Sequence, residues 1–174
     1  MVQSTMPAAV RQYVTVMRLL GVVYAVAGCV FFFSPKFVFW LLNMLPSITT
    51  SLAPLPESTE FFWVSLTFSM MAMLSALSFA AAAAPQQRSY AWIQVLAKVV
   101  SSLGLFYYFM HHHVDGKPVF GYLAGVITDL PIAILVLILT LRAAIAGRAP
   151  AAGAPDTGAD APDTGADAPP KSEE

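Results

Sequence analysis

Apolar residues are gathered into four long runs along the chain. The runs cover residues 14–34, 61–84, 90–110 and 119–142, and short polar segments at 85–89 and 111–118 separate the last three. A helix that rises 1.5 Å per residue needs about 20 apolar residues to cross a hydrocarbon core of about 30 Å. We therefore predict an all-α integral membrane protein, an antiparallel four-helix bundle with a disordered C-terminal tail.

Helix-breaking residues mark the ends of the runs. Ser34-Pro35 ends the first run, Pro85 opens a short loop at 85–89, and an Asp-Gly turn lies in a predicted hairpin at 111–118. Residues 35–60 contain an apolar stretch that is too short to cross, and we expect a short interfacial helix or a re-entrant segment there. The short loops predict antiparallel neighbours that pack in sequence order.

The distribution of basic residues predicts the orientation of the spans. Short cytoplasmic flanks are enriched in Lys and Arg. One set of flanks, which includes the N-terminal residues 1–13 and the loop 85–89, holds five arginines: Arg11, Arg18, Arg88, Arg142 and Arg148. The opposite flanks hold only Lys36 and Lys117. Both termini are therefore expected in the cytoplasm, with the 35–60 segment and the hairpin outside.

Composition agrees with a membrane protein and separates the tail from the body. Hydrophobic residues make up 57% of the chain and charged residues 11%, whereas a soluble domain carries roughly a quarter charged residues. The segment 143–174 contains two copies of Ala-Pro-Asp-Thr-Gly-Ala-Asp, at 154–160 and 161–167. A segment so rich in Pro, Gly and Asp cannot bury enough apolar surface to offset the entropy of ordering, so it is predicted to be disordered.

Two charged residues lie deep inside predicted spans. Lys98 is about 20 Å and Asp129 about 15 Å below the hairpin, by their positions along the two helices. An unpaired charge in hydrocarbon is costly, so the two are predicted to form a buried ion pair. Neighbouring polar residues complete a predicted polar site formed by Lys98, Asp129, Gln94, Ser101 and Tyr122. Two interpretations remain open, a functional site and an ion pair that only fixes helix register.

Three consecutive histidines, residues 111–113, are the only histidines of the chain. Adjacent residues do not share a helix face, so His111 and His113 are weak metal-ligand candidates, and a polar cap at the outer interface is the favoured interpretation.

Cys29 is the sole cysteine and cannot form an intramolecular disulfide. It follows Val26-Ala27-Gly28, which is typical of a lipoprotein processing site, but an uncleaved helix is favoured because Val-Phe-Phe-Phe follows.

The chain lacks the motifs of common enzyme classes. It has no nucleotide-binding glycine loop, no HExxH helix and no GxSxG elbow, so nothing in it argues for an enzyme, and we expect no cofactor. It also lacks a basic stripe with interleaved aromatic residues, so no nucleic-acid partner is expected. The lipid bilayer is the expected environment.

The segment Met17-Arg18-Leu19-Leu20-Gly21, followed by Gly28, by Ser34-Pro35 and by three further spans, resembles small bacterial membrane proteins of the DoxX-like type. The resemblance covers most of the chain before Ala149 and is one of layout and glycine placement. It implies a four-helix protein of the bacterial inner membrane.

Small residues recur at helical spacing in the spans, for example Gly21, Ala25 and Cys29 in the first, and Gly121 and Gly125 in the fourth. Such stripes let helix backbones approach closely within a membrane.

We favour an accessory or scaffold subunit that packs against a membrane-protein partner or a second copy. The alternative is small-molecule or proton binding or transport at Lys98–Asp129. An exposed small-residue face would favour the subunit, and an internal cavity that reaches Asp129 would favour binding.

Overall fold

The computed structural model describes residues 6–49, 51–56 and 61–147. Within these ranges the chain is helical apart from its connecting loops and one short hairpin. The first residues of the predicted disordered tail, 143–146, are helical, and the tail lies outside the described residues from position 148 onwards. Part of the predicted interfacial segment, at positions 50 and 57–60, also lies outside them.

Five helices and two short strands form the described part of the chain. They are α1 Ala8–Phe33, α2 Pro35–Ile48, α3 Phe61–Ala83, α4 Ser89–His111, β1 His113–Val114, β2 Lys117–Pro118 and α5 Phe120–Ala146. Four of the helices (α1, α3, α4 and α5) are long and apolar enough to cross a membrane. This composition indicates a multi-pass membrane protein whose helices contact the lipid bilayer.

The surface of the molecule is apolar over much of the four long helices. Leu96 and Leu103 of α4 are each more than 60% exposed, and Ile145 of α5 is 73% exposed. The buried set, in contrast, includes polar side chains such as Gln94 and Ser78. In water this distribution would be unfavourable, but in lipid the apolar surface is solvated and polar groups must find partners inside.

The long helices associate mainly as two pairs, α1 with α3 and α4 with α5. Glycines permit the close approach within each pair. A Cβ atom added to Gly28 of α1 would lie 2.9 Å from Met71 Cβ of α3, and one added to Gly125 of α5 would lie 2.5 Å from Leu105 Cδ1 of α4. These glycines therefore serve packing within one chain.

The predicted interfacial segment forms α2 in its described part. The helix begins at Pro35, a position where the missing N–H of proline costs nothing. It buries Phe39 and Pro46, whereas Phe37 and Trp40 are exposed. The helix contacts α1 and α5.

The connection between α4 and α5 is a tight β-hairpin. Asp115 and Gly116 both have positive φ angles, 52° and 74°, as a two-residue type I′ turn requires. The segment after α2 is hydrogen-bonded to this hairpin, because Ala53 N donates to Pro118 O at 2.9 Å and Phe120 N donates to Ala53 O at 3.1 Å. The end of the molecule near the hairpin is therefore closed by several chain segments.

The side chain of Asn43 holds the same segment to α2. Its Nδ2 donates to Leu55 O at 2.9 Å, and Leu55 N donates to Asn43 Oδ1 at 2.7 Å. Leu55 in turn packs against Gly121, where an added Cβ would lie 2.8 Å from Leu55 Cδ2. Gly121 thus accommodates this loop, whereas Gly125, one turn further, accommodates α4.

The close approach at Gly28 gives the first testable prediction. Gly28→Ala should lower the free energy of unfolding by about 1–3 kcal/mol, because the new methyl group meets the Cβ of Met71 rather than a flexible side-chain end. Gly104→Ala is the matched control, since no atom lies within 4 Å of its added Cβ. It should leave stability unchanged or raise it by up to about 1 kcal/mol. Thermal unfolding in detergent, followed by circular dichroism, measures both, and equal melting temperatures would contradict the α1–α3 contact.

Candidate functional site

The centre of the site is a buried ion pair between α4 and α5. Lys98 Nζ donates to Asp129 Oδ1 at 2.5 Å, and Ser101 Oγ donates to Asp129 Oδ2 at 2.8 Å. The Lys98 and Asp129 side chains are only 7% and 16% exposed. Both carboxylate oxygens therefore have a partner, as a charge in a low-dielectric environment requires.

Helix α1 contributes a third side to the site. The Lys98 ammonium lies 5.1 Å from the ring centroid of Tyr24, within the range of a cation–π contact. An ammonium has three N–H groups, and Asp129 is its one hydrogen-bonding partner among the described residues. Lys98 therefore keeps donor capacity for a further acceptor.

The local structure of α5 around Asp129 is shaped by two other residues. Pro131 lies inside the helix and has no N–H to donate to the carbonyl of Ile127. Thr128 uses its hydroxyl within its own helix, with donation to Ala124 O at 3.0 Å and to Gly125 O at 2.9 Å. The Thr128 hydroxyl thus bonds back to the turn that precedes Asp129 and makes no hydrogen bond to the carboxylate.

A cavity of about 380 Å³ reaches the ion pair. Helices α3, α4 and α5 form most of its wall, and Phe31 of α1 completes it. Most of the lining is apolar, and the polar lining residues include Lys98, Ser101 and Asp129. Three methionines of α3, which adapt readily to different shapes, also line it: Met70, Met71 and Met73.

The structure places Gln94 one turn from Lys98 but directs it to another partner. Its Nε2 donates to Ser78 Oγ at 2.7 Å and to Leu74 O at 3.3 Å. Gln94 thereby ties α4 to α3, and its Oε1 is buried without a partner in the described part of the chain. It makes no hydrogen bond to the ion pair.

Tyr122 lies towards the hairpin end of α5. Its ring stacks on Tyr108 at a centroid distance of 5.7 Å and meets the His112 ring edge-on at 5.8 Å. Seven residues separate it from Asp129, about 10 Å along the helix. Of the five predicted site residues, the structure therefore brings together Lys98, Ser101 and Asp129, and it places Gln94 and Tyr122 in separate contacts.

Tyr24 belongs to the ion-pair environment and was missed by the sequence reasoning. It shares one buried face of α1 with Tyr13, Met17 and Leu20. The available signal was a hydroxyl-bearing side chain near the middle of a span, at helical spacing from other large residues. Its hydroxyl is buried without a hydrogen-bonding partner in the ranges described.

The histidines lie away from this site, at the hairpin. The His111 ring stacks on Tyr107 at 4.4 Å, and its Nδ1 lies 2.9 Å from Tyr107 O. His113 is exposed in β1. Among the described residues, no group of three or more His, Cys, Asp or Glu side chains could hold a metal ion.

A second concave surface, which we name the small-residue groove, lies between α1 and α3. Its volume is about 340 Å³, and Cys29, Ala72 and Ala76 in it are exposed. The remaining lining residues are Ala25, Gly28, Phe68, Ser75 and Phe79. Part of the small-residue pattern is thus used inside the chain, and part faces outwards.

Comparisons with protein-family models, with curated proteins and with solved structures find no match to this chain. The resemblance to DoxX-like proteins therefore stays a prediction from layout, and the candidate function rests on the site itself.

The ion pair can be tested by a double-mutant cycle. Asp129→Leu and Lys98→Met should each destabilise the protein by about 3 kcal/mol, because each leaves a buried partner group uncompensated. The double variant should be more stable than either single variant, since it leaves no unpaired charge. Thermal unfolding in detergent gives the three values.

One further variant tests the ion pair, and another serves as a control. Asp129→Asn should also be destabilising, and a melting temperature equal to that of the parent chain would refute the buried pair. Thr128→Val is the neighbouring control on α5, because the Thr128 hydroxyl bonds only to its own helix among the described residues.

Proposed function

We propose that this protein binds a small neutral amphipathic molecule in the cavity beside the Lys98–Asp129 ion pair. The observation that carries the proposal is the cavity itself, which is lined by residues of all four long helices and reaches Asp129. A volume of about 380 Å³ lies within the usual range of small-molecule sites.

The chemistry of the lining defines the class of ligand. Lys98 and Asp129 neutralise each other, so a charged ligand would leave a net charge inside the membrane. The carbonyl or hydroxyl oxygen of a neutral molecule would accept a hydrogen bond from one of the free N–H groups of Lys98. Its apolar body would contact the methionines, Phe31 and Leu105.

Transport is an extension of the same hypothesis. A molecule that binds in the cavity, or a proton carried by Asp129, would need access from both sides of the membrane. The cavity supports binding directly, and we therefore place binding first.

The membrane arrangement is part of the proposal. We infer an antiparallel bundle of the four long helices in a bacterial inner membrane, with both termini in the cytoplasm. The short loop between α3 and α4 and the hairpin between α4 and α5 support antiparallel neighbours. The excess of arginine in one set of flanks supports the orientation.

A cavity-filling variant tests the binding proposal. Ala97→Phe should lower the amount of a co-purified small molecule at least tenfold, about 1.4 kcal/mol, because the ring occupies the cavity next to Lys98. Leu96→Phe is the matched control, since Leu96 is the adjacent residue on α4 and is 64% exposed. Native mass spectrometry of the purified chain measures bound molecules. An equal loss in both variants, or no bound molecule in the parent chain, would contradict binding in this cavity.

The small-residue groove supports a second candidate function, an accessory or scaffold subunit. Close helix packing in membranes needs small side chains, and exposed alanines between α1 and α3 offer such a surface. The partner would be another membrane helix, from a different protein or from a second copy.

Substitution in the groove tests this second candidate. Ala76→Leu should abolish a stoichiometric complex, because the added side chain fills the surface on which a helix would pack. Ala27→Leu, an exposed position of α1 outside the groove lining, should leave the complex intact. Gentle purification from native membranes, with size-exclusion chromatography and mass spectrometry, measures the stoichiometry. A parent chain that emerges as a monomer without a partner would refute the subunit hypothesis.

A further inference from the structure

A third concave surface lies where the start of α1 meets the end of α3, and it has a different chemistry. We name it the arginine pocket. Its volume is about 310 Å³, and Arg11, Thr15 and Arg18 line it from α1. Because these residues stand at positions i, i+4 and i+7, they share one face of the helix. Ala82 and Pro85 are part of the opposite wall.

The two arginines have no carboxylate partner among the described residues. Within those ranges the one ion pair is Lys98–Asp129, and the one other acidic residue, Asp115, lies in the hairpin turn. Both guanidinium groups therefore have donors available, and the pocket concentrates positive charge.

Arg18 is an exposed residue of α1 that lies within the apolar run of that helix. The helix has 26 residues, about 39 Å, and Arg18 is ten residues after its first residue, about 15 Å along it. The apolar run of this span begins at residue 14, so the Arg18 backbone lies about 6 Å inside the hydrocarbon core if the core begins there. A side chain on a helix points towards the N-terminus, so the guanidinium reaches back to the pocket.

From these observations we propose that the arginine pocket binds the phosphate headgroup of an anionic phospholipid. Guanidinium groups pair with phosphate oxygens through two parallel hydrogen bonds, and the Thr15 hydroxyl offers a further donor. The apolar wall formed by Val14, Ala82 and Pro85 suits the first part of an acyl chain. A phospholipid supplies both a phosphate for the arginines and an acyl chain for the apolar wall. Its phosphate lies at the membrane surface and its acyl chain just below, the two depths between which the Arg18 side chain extends.

The test compares two lipids on the purified full-length chain. Native mass spectrometry with added phosphatidylglycerol or phosphatidylcholine counts the lipid molecules bound per chain. The anionic lipid should bind about tenfold more tightly than the zwitterionic one. The double variant Arg11→Gln/Arg18→Gln should lose this preference, and Arg18→Lys should retain part of it, since lysine keeps the charge without the two-pronged geometry.

Arg142→Gln is the matched control. Arg142 is an exposed arginine near the end of α5 and does not line the pocket. Its replacement should leave the lipid preference unchanged. Thermal unfolding in detergent checks that each variant is folded, and Arg18→Lys preserves the test if the double variant does not fold.

Three outcomes would overturn the proposal. The first is the lack of a lipid preference specific to the pocket, seen either as equal binding of the two lipids or as an equal loss in Arg142→Gln. The second is displacement of the lipid by inorganic phosphate at the same concentration, which would indicate a site for a free anion. The third is binding only after amide replacement of the six acidic residues in 148–174, which would assign the pocket to the acidic tail.

Discussion

The ion pair between Lys98 and Asp129 is the interaction on which the interior of this protein depends. A lone ammonium or carboxylate is costly in hydrocarbon, so α4 and α5 can associate only in a register that brings these two side chains together. The contact of Leu105 with Gly125, which lies nearer the hairpin than the ion pair does, holds the helices close enough for the hydrogen bond to form. Ser101 donates a hydrogen bond to the second carboxylate oxygen of Asp129. The ring of Tyr24 contacts the Lys98 ammonium and so links α1 to the pair. The contacts of one ion pair thereby fix the positions of three of the four long helices relative to one another.

The same arrangement explains why a cavity lies beside the ion pair. Close glycine contacts hold α1 against α3 and α4 against α5, whereas α3 and α4 meet less extensively. Gln94 bridges that looser contact through Ser78, and methionines of α3 fill only part of the remaining space. An ion pair that served register alone would be best enclosed by tight packing. Here it forms part of a cavity wall and keeps spare hydrogen-bond donors, which is the physical basis for the binding proposal.

The sequence was most informative where a single length or turn rule decides the structure. The apolar runs indicate four helices long enough to span, and the Asp115-Gly116 turn is visible because glycine adopts a positive φ freely and aspartate tolerates it. The positions of Lys98 and Asp129 along their helices place the two residues at similar depth. Local spacing could not choose between partners on different helices. Gln94 stands four residues from Lys98, yet it bonds to Ser78, because the rotation of α3 decides which acceptor it meets. Tyr24 lies far from Lys98 along the chain, so the position of the Lys98 ammonium over its ring follows only from the packed structure.

Helix α3 connects the two candidate functions physically. Residues on one of its faces, including Met71 and Leu74, line the cavity, whereas Ala72 and Ala76 on another face line the small-residue groove. Ser75 Oγ donates to Gly21 O at 2.8 Å and fixes α3 against α1 between these two surfaces. Met71, which lines the cavity, also lies against Gly28, which lines the groove. A partner helix in the groove would therefore press on the wall of the cavity, and a ligand in the cavity would press on the surface that the partner contacts. Binding and assembly, if both occur, are thus expected to be coupled through α3.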